Sequence, residues 1–217
     1  MKKLKQLSLP VLAFLLVFAL SGCGTVYVNP YADIPKPVAT MIIDVDGSVY
    51  TLRFTLDPAY APNTVSNFIN LANAGFYDGL KIDYVYPTYF LRGGDPNGDG
   101  TGGPDFTIAG EFKENGFAFE GLKHTRGVIS MCRQEDNYNS AGSQFFVMLS
   151  SHSEYNDLYA AFGYIESADT ESFNALNELE QYTTDNEYRP ILRQTISSIR
   201  VDTKGYIYEA IRNEEEN

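Results

Sequence analysis

Short apolar runs that alternate with polar residues recur along most of the chain. The runs 39–45 and 49–56 flank Asp46-Gly47, a dipeptide typical of a two-residue hairpin turn. Further strand-like runs are predicted at 81–86, 89–93, 127–132, 143–149, 160–165, 191–201 and 206–211. So many short strands at this spacing predict a mainly β domain.

Two other segments have the spacing of amphipathic helices. In the first, Pro62 suits the first helical turn, apolar residues follow at three- and four-residue intervals, and Gly75 can end the helix. In the second, Thr170 is the predicted N-cap of a helix whose apolar face includes Leu176 and Leu179. Many strands with only two helices predict a closed β-barrel capped by the helices.

The N-terminus has the pattern of a secretion signal. Lysines near the start precede an apolar stretch at 7–20, which is too short to span a bilayer as a helix. This stretch runs into the letters LSGC, which end at Cys23 and resemble the lipobox of bacterial lipoproteins, where the Cys is lipidated and the chain is cut directly before it. Residues 1–22 are therefore interpreted as a lipoprotein signal peptide and Cys23 as the lipidation site. An ordinary signal peptide or an uncleaved anchor is the alternative.

The segment after the signal peptide indicates a tether. Residues 23–38 hold three prolines and no apolar period, which is typical of an extended spacer. The main domain is then expected at 39–211, followed by an acidic tail at 212–217. Because two or more acyl chains on Cys23 would hold the protein stably on a membrane, we expect an extracytoplasmic protein that is lipid-anchored to the cell membrane.

The charge balance argues against one class of partner. The 217 residues include 16 Lys and Arg against 28 Asp and Glu, which gives a net charge of −12. An acidic surface repels phosphate groups, so nucleic acid is not an expected partner. Trp is absent, but the chain has 16 Tyr and 14 Phe, and this aromatic excess suits half-exposed strands.

Motifs of metal, hydrolytic and nucleotide chemistry are missing from the sequence. The two histidines, His124 and His152, lie far apart without ligand-type neighbours, so no metal site is expected. Asp95 begins a stretch like a calcium loop, but Phe106 stands where a bidentate Glu is needed, and a glycine-supported turn is the better interpretation. No nucleophile elbow or phosphate-binding loop is found either.

Several segments, taken in order, resemble one known family. They are FYDGL, VYPTYFLRGGDP, GDGTGG, EF, LKHT, GVISM, AGSQFFV and FG, which lie between Phe76 and Gly163. Each segment is weak by itself, but their order and spacing resemble the cyclophilin family of peptidyl-prolyl cis-trans isomerases over about residues 41–201. The resemblance implies a closed eight-stranded antiparallel barrel capped by two helices, with a peptide groove on its outer surface and no cofactor.

The chemistry of such an enzyme sets simple demands on a site. Rotation about an X-Pro bond faces a barrier of about 18–20 kcal/mol because of amide resonance. Catalysis needs an apolar pocket that holds the proline ring and a donor that stabilises the twisted amide in a site from which water is excluded. A guanidinium suits this task because it is permanently charged and carries several N–H groups in a fixed fork.

The resemblance also implies which residues bind the substrate. Gln144 and Phe146 keep the family's residues in its Ser-Gln-Phe-Phe motif, and Phe146 matches the floor of the proline pocket. Glu154 replaces a Trp of the family, which removes an aromatic wall. The implied substrate-binding residues are Tyr89, Phe90, Cys132, Gln144, Phe146, Tyr155 and Tyr159.

The family's catalytic Arg is missing from its usual place. Where the family reads FHRVIPGF, this chain reads IDYVYPTY, so Tyr84 occupies the Arg position, and Arg92 stands where the family has a Gln. If 81–86 and 89–93 pair as a hairpin centred on residue 88, Tyr84 and Arg92 are directly opposite each other. We hypothesise that Arg92 supplies the catalytic cation and that Tyr84 orients it or donates its own hydroxyl. The alternative is that Arg92 faces solvent or pairs with an acid.

These observations leave more than one function open. The first is a peptidyl-prolyl cis-trans isomerase that assists the folding of extracytoplasmic proteins, because uncatalysed proline isomerisation is slow enough to limit folding. Its partners would be proline-containing segments of secreted or surface proteins. The alternative is a catalytically weak or inactive peptide-binding or chaperone module of the same fold on the membrane surface. A structural envelope protein without a peptide ligand is a third possibility.

Overall fold

The computed structural model of the protein describes residues 7–9, 34–117 and 121–213. Its strands are β1 Leu7–Leu9, β2 Val38–Val45, β3 Ser48–Leu56, β4 Lys81–Tyr86, β5 Phe90–Gly93, β6 Val128–Met131, β7 Phe145–Met148, β8 Ala161–Tyr164, β9 Gln194–Asp202 and β10 Tyr206–Tyr208. Its α-helices are α1 Pro62–Asn73 and α2 Thr170–Gln181.

Eight of these strands close into an antiparallel barrel. The strand order is β2-β3-β8-β6-β7-β5-β4-β9, and β9 pairs with β2 to complete the circle. The predicted fold class, a mainly β closed eight-stranded antiparallel barrel with two helices, is confirmed. In β2 the side chains of Ala39, Met41, Ile43 and Val45 alternate into the core, as a strand with one buried face requires.

The hairpin between β2 and β3 turns where the sequence predicts it. Asp46 and Gly47 both have positive φ angles, 51° and 84°, which a two-residue turn matching the strand twist needs at both central positions. Asp tolerates this region better than most residues, and Gly adopts it freely.

The first helix seals the aromatic core of the barrel. Pro62 occupies the start of α1, where its missing N–H would be unpaired in any case. The ring of Phe68 in this helix lies 5.3 Å from that of Tyr77, 5.9 Å from that of Phe145 and 5.0 Å from that of Phe162, measured between centroids. The helix therefore packs on the same core that the barrel strands enclose.

The second helix begins one residue away from its predicted cap. Asp169, not Thr170, is the N-cap of α2, and its side chain accepts a hydrogen bond from the backbone N–H of Ser172. The Asp169 carboxylate also accepts two hydrogen bonds from Arg53 on β3. A carboxylate at this position satisfies the helix terminus and ties the helix to the barrel, which a threonine hydroxyl could not do as well.

The chain termini differ from the sequence prediction in one respect. The strand expected at 206–211 is limited to β10, which pairs in parallel with β1 and not with the barrel, so that barrel closure is left to β9. Apart from β1, the predicted signal peptide lies outside the described residues, and so does Cys23. No helix within the described part of the chain has the length and apolarity needed to cross a bilayer.

Strand alternation divides the apolar residues of β7 between two clusters. Phe145 and Val147 point into the barrel core, whereas Phe146 and Met148 belong to a second cluster on the outer face of the barrel. Successive residues of a strand face opposite sides of the sheet, so one short strand serves both clusters. The outer cluster is where the predicted site residues meet.

Candidate functional site: a groove on the outer face of the barrel

A groove of about 760 Å³ lies on the outer face of the barrel, between the strands that carry the outer cluster and the glycine-rich loop that follows β5. The predicted catalytic and substrate-binding residues number nine, and all but Tyr89 line this groove. Those eight residues are Tyr84, Phe90, Arg92, Cys132, Gln144, Phe146, Tyr155 and Tyr159.

The groove has an aromatic floor and walls. Phe146 is 4% exposed, and its ring lies 5.4 Å from the Phe90 ring, 5.8 Å from the Tyr155 ring and 5.4 Å from the Tyr159 ring, measured between centroids. Aromatic rings at these separations present a rigid apolar surface. Such a surface suits a small, apolar ring of the size of proline.

His124 supports Phe146 from beneath and is a residue that the sequence analysis did not place in the site. Its ring stacks on that of Phe146, with 5.8 Å between centroids and 12° between planes. The Nδ1–H donates to Asn156 Oδ1, and Nε2 accepts from the Ser130 hydroxyl at 3.0 Å. Burial lowers the pKa of His124 to about 4, so the imidazole is neutral at physiological pH. The LKHT segment was the available signal for this residue.

The hairpin of β4 and β5 places Tyr84 directly opposite Arg92, as its spacing predicts. The central guanidinium carbon of Arg92 lies 5.3 Å from the centroid of the Tyr84 ring, which is within the range of a cation–π contact. The other neighbour of Tyr84 in the groove is Phe90, whose ring stacks on it at 5.9 Å. Tyr84 therefore contacts the cation through its ring.

Asp83 holds the Arg92 guanidinium and was missed by the sequence analysis. Its Oδ2 accepts from Arg92 Nε at 3.1 Å and from Nη2 at 2.5 Å. The Asp83 side chain is only 2% exposed, against 26% for that of Arg92. Burial raises the pKa of Asp83, and the guanidinium opposes that rise. Arg92 thus pairs with an acid, as the alternative interpretation expected, and also lines the groove.

The backbone of the glycine-rich loop folds around the carboxylate of Asp95. Asp95 accepts hydrogen bonds from the backbone N–H groups of Asn97, Asp99 and Gly100, which confirms a turn at the stretch that resembled a calcium loop. A Cβ built on Gly100 would lie 3.2 Å from Nη2 of Arg92 and 3.3 Å from Nη1. Glycine at this position therefore lets the loop lie directly on the guanidinium.

Gln144 fastens this loop to β7. Its Nε2 group donates to the carbonyl oxygens of Gly100 at 3.0 Å and Gly102 at 2.8 Å. Both side-chain N–H groups are therefore engaged within the protein. Only the side-chain oxygen of Gln144 is left to act on a peptide in the predicted substrate-binding role.

The groove contains no activated nucleophile or metal ligand set among the described residues. Cys132 lines the groove, but burial raises the pKa of its thiol to about 12, so it stays protonated. The described part of the chain holds no group of three or more metal-ligating side chains. What the groove provides is an apolar floor and two guanidinium groups: that of Arg92, which Asp83 holds, and that of Arg133, which donates to backbone carbonyl oxygens.

Tyr89 lies outside the groove, at the tip of the hairpin. Its ring is sandwiched between Tyr86, at 4.3 Å, and His152, at 4.0 Å. The His152 ring forms hydrogen bonds with the Glu154 carboxylate through Nδ1, at 2.8 Å, and with the carbonyl oxygen of Thr88 through Nε2, at 2.9 Å. The Thr88 carbonyl raises the pKa of His152. Tyr89 and Glu154 therefore stabilise the hairpin tip.

A closed eight-stranded antiparallel barrel with two helices and an aromatic groove on its outer face defines a cyclophilin-like protein. Residues 40–201 match the family described as cyclophilin type peptidyl-prolyl cis-trans isomerase/CLD. This range covers well over half of the chain. The protein therefore belongs to the cyclophilin family, whose members are peptidyl-prolyl cis-trans isomerases.

Individual relatives and a solved structure support membership of this family. Peptidyl-prolyl cis-trans isomerase B of Bacillus subtilis is 40% identical over 116 residues, which make up 54% of this chain and 76% of that protein. A peptidyl-prolyl cis-trans isomerase of Synechococcus elongatus is 36% identical over 129 residues, or 59% of this chain and 81% of that protein. The crystal structure of a cyclophilin type isomerase from Cryptosporidium parvum has a TM-score of 0.67 and 27% identity, and the match covers 78% of this chain and 99% of that one.

Proposed function

We propose that this protein isomerises X-Pro bonds in the groove between Phe146 and Arg92, with a catalytic cation that has moved to the strand next to the family's usual position. The observation that carries this proposal is the placement of the Arg92 guanidinium. It lines the same groove as Phe146, is held by Asp83 and is covered by Gly100.

The proline ring would lie on Phe146. Phe90, Tyr155 and Tyr159 surround the Phe146 ring. His124, which stacks on Phe146, is neutral and therefore adds no charge to the floor of the groove. Burying the apolar proline ring against these side chains supplies binding free energy of about 25 cal/mol per Å² of apolar surface removed from water. The amide bond that precedes the proline is left beside Arg92.

Arg92 would stabilise the twisted amide as a hydrogen-bond donor. Asp83 engages the Nε and Nη2 groups, and no described residue accepts a hydrogen bond from Nη1. We infer that Nη1 donates to the prolyl nitrogen or to the carbonyl oxygen that rotates. Since the loop at Gly100 keeps water from one side of the guanidinium, that hydrogen bond is stronger than it would be in bulk solvent.

The test is a proline-isomerisation assay on the full chain with a short peptide that contains Ala-Pro. We expect the exchange rate between the cis and trans forms, measured by NMR exchange spectroscopy, to rise in proportion to the concentration of the protein. Peptide titration by fluorescence anisotropy is run in parallel. Binding without any increase in exchange rate would contradict the proposal and favour the peptide-binding module.

We also propose that the protein acts outside the cytoplasm, anchored through Cys23, on proline-containing segments of secreted or surface proteins. The signal pattern that ends in LSGC supports this location. In a bacterial host, the wild-type chain is expected in the membrane fraction and to incorporate a fatty-acid label. Cys23→Ser is expected to abolish labelling, because the thiol is the acceptor. Unchanged labelling of this variant would contradict the lipid anchor.

A further inference from the structure

A cluster of three tyrosine rings adjoins the groove on the side of β4. We call Tyr84, Tyr86 and Tyr188 the tyrosine ledge. The Tyr188 ring lies 5.7 Å from that of Tyr84 and 4.7 Å from that of Tyr86, measured between centroids. The ledge is continuous with the groove, because Tyr84 lines the groove and stacks on Phe90.

A tight turn presents Tyr188 to the other two rings. The Asp185 carboxylate accepts hydrogen bonds from the backbone N–H groups of Glu187 and Arg189. Tyr188 has a φ of 61°, in the left-handed region that bulky residues rarely adopt. The Val85 N–H donates to the Tyr188 carbonyl oxygen at 2.8 Å, which fixes the turn against β4. The fold therefore maintains an unfavourable backbone conformation that keeps this ring on the ledge.

The ledge is open to a ligand. Tyr188 is 38% exposed, and Tyr84 and Tyr86 are half-buried. The planes of the three rings are inclined at 55–67° to one another, so the rings offer both faces and edges to an additional ring. A surface of this kind next to a peptide groove is suited to a further side chain of the same peptide.

We propose that the tyrosine ledge is a subsite for an aromatic side chain of the peptide whose proline occupies the groove. This inference rests on the proposed function only in taking the proline to lie on Phe146. The ring centroids step from Phe146 to Phe90, Tyr84 and Tyr188 by 5.4, 5.9 and 5.7 Å. An extended peptide advances about 3.3 Å per residue, so the aromatic residue lies at most about five residues from the proline.

The surroundings of the ledge favour an aromatic side chain over a basic one. The two nearby cations are already paired with carboxylates, Arg92 with Asp83 and Arg189 with Glu187. Because the Arg92 guanidinium also lies against the Tyr84 ring, a lysine or arginine of the ligand gains less there than a phenyl ring, which stacks on tyrosine. The subsite therefore favours rings.

The test uses the full chain and a set of fluorescent peptides with one central Ala-Pro. Phe, Lys or Ala is placed two to five residues before or after the proline, and dissociation constants are measured by anisotropy. We expect Phe on one flank of the proline to bind about three- to tenfold more tightly than Ala, and Lys to show no such gain. Tyr188→Ala is expected to bring the ratio of Phe to Ala affinities close to one. Tyr188→Phe, which keeps the ring, is expected to retain the preference for the Phe peptide over the Ala peptide.

The control variant is Ile191→Ala, which truncates another exposed apolar residue in the segment between α2 and β9 and is expected to leave all affinities unchanged. Equal affinities for Phe and Ala peptides on both flanks would overturn the subsite. A Phe preference that survives Tyr188→Ala, or a self-association that Tyr188→Ala abolishes, would also overturn it. A Phe preference in binding without any isomerisation would refute the proposed activity and leave the subsite standing.

Discussion

Arg92→Ala is expected to lower kcat/KM for proline isomerisation about 100-fold, because loss of a fixed donor from a water-poor site costs about 10²–10³ in rate. Two arginines, Arg92 and Arg133, line the groove, and of these two only Arg92 has a buried carboxylate to orient it. Arg92→Lys keeps the charge but loses the planar fork that Asp83 binds at two points, so an intermediate rate is expected. The measurement is NMR exchange spectroscopy on an Ala-Pro peptide.

Asp83→Asn is the matched control for this prediction, because it preserves the size of the side chain and removes its charge. If Asp83 acts by positioning Arg92, this variant loses kcat with little change in KM, since the apolar floor at Phe146 is untouched. Peptide affinity should accordingly stay within about twofold of wild type. Wild-type turnover in Arg92→Ala would show that Arg92 is not the catalytic cation.

Glu111→Ala is expected to reduce the free energy of unfolding by about 2–4 kcal/mol, since it leaves buried backbone donors without partners. Ala61, at the N-cap of α1, has no side chain that can cap the helix. Glu111 supplies the missing acceptor: Oε1 accepts from the Asn63 N–H at 3.0 Å, and Oε2 accepts from the Thr64 N–H at 2.7 Å. The measurement is urea unfolding followed by circular dichroism.

Glu111→Gln is the control, because it keeps the volume and one of the two acceptor oxygens. The free energy of unfolding is expected to fall by about half as much as in the Ala variant. Burial raises the pKa of Glu111 from 4.5 to about 7, so the residue stabilises the fold most below pH 4.5 and loses that contribution as the pH rises through 7. The stability difference between wild type and Glu111→Gln should therefore shrink from pH 5 to pH 8. An unchanged unfolding midpoint in both variants would mean that the carboxylate does not cap α1.

The parts of the fold that were predictable from sequence depend on local patterns. Alternating apolar residues and the Asp46-Gly47 turn define the first hairpin, because a strand period of two and a turn that needs positive φ are both visible in adjacent residues. The same local geometry allowed the pairing of Tyr84 with Arg92 to be counted from a hairpin centred on residue 88. The gathering of the other groove residues came from the family resemblance.

The parts that were missed depend on distant contacts. Asp83 lies where the register shifts between Ile82 and Tyr84, and a bulge of this kind has no clear mark in the sequence. Glu111 caps a helix that begins 49 positions earlier in the chain, at Pro62. Asp169 displaces Thr170 as N-cap, since both residue types cap helices and only the folded chain brings Arg53 to the carboxylate.

The closure of the barrel determines how a client must be held. Every barrel strand has a neighbour on both sides, so none is an edge strand along its whole length onto which an extended peptide could be added as a further strand. Recognition through main-chain pairing would fix the register of the ligand and slow its departure. A client gripped mainly by its side chains can instead slide, turn about one bond and leave, which favours brief encounters with many unrelated polypeptides over lasting association with one.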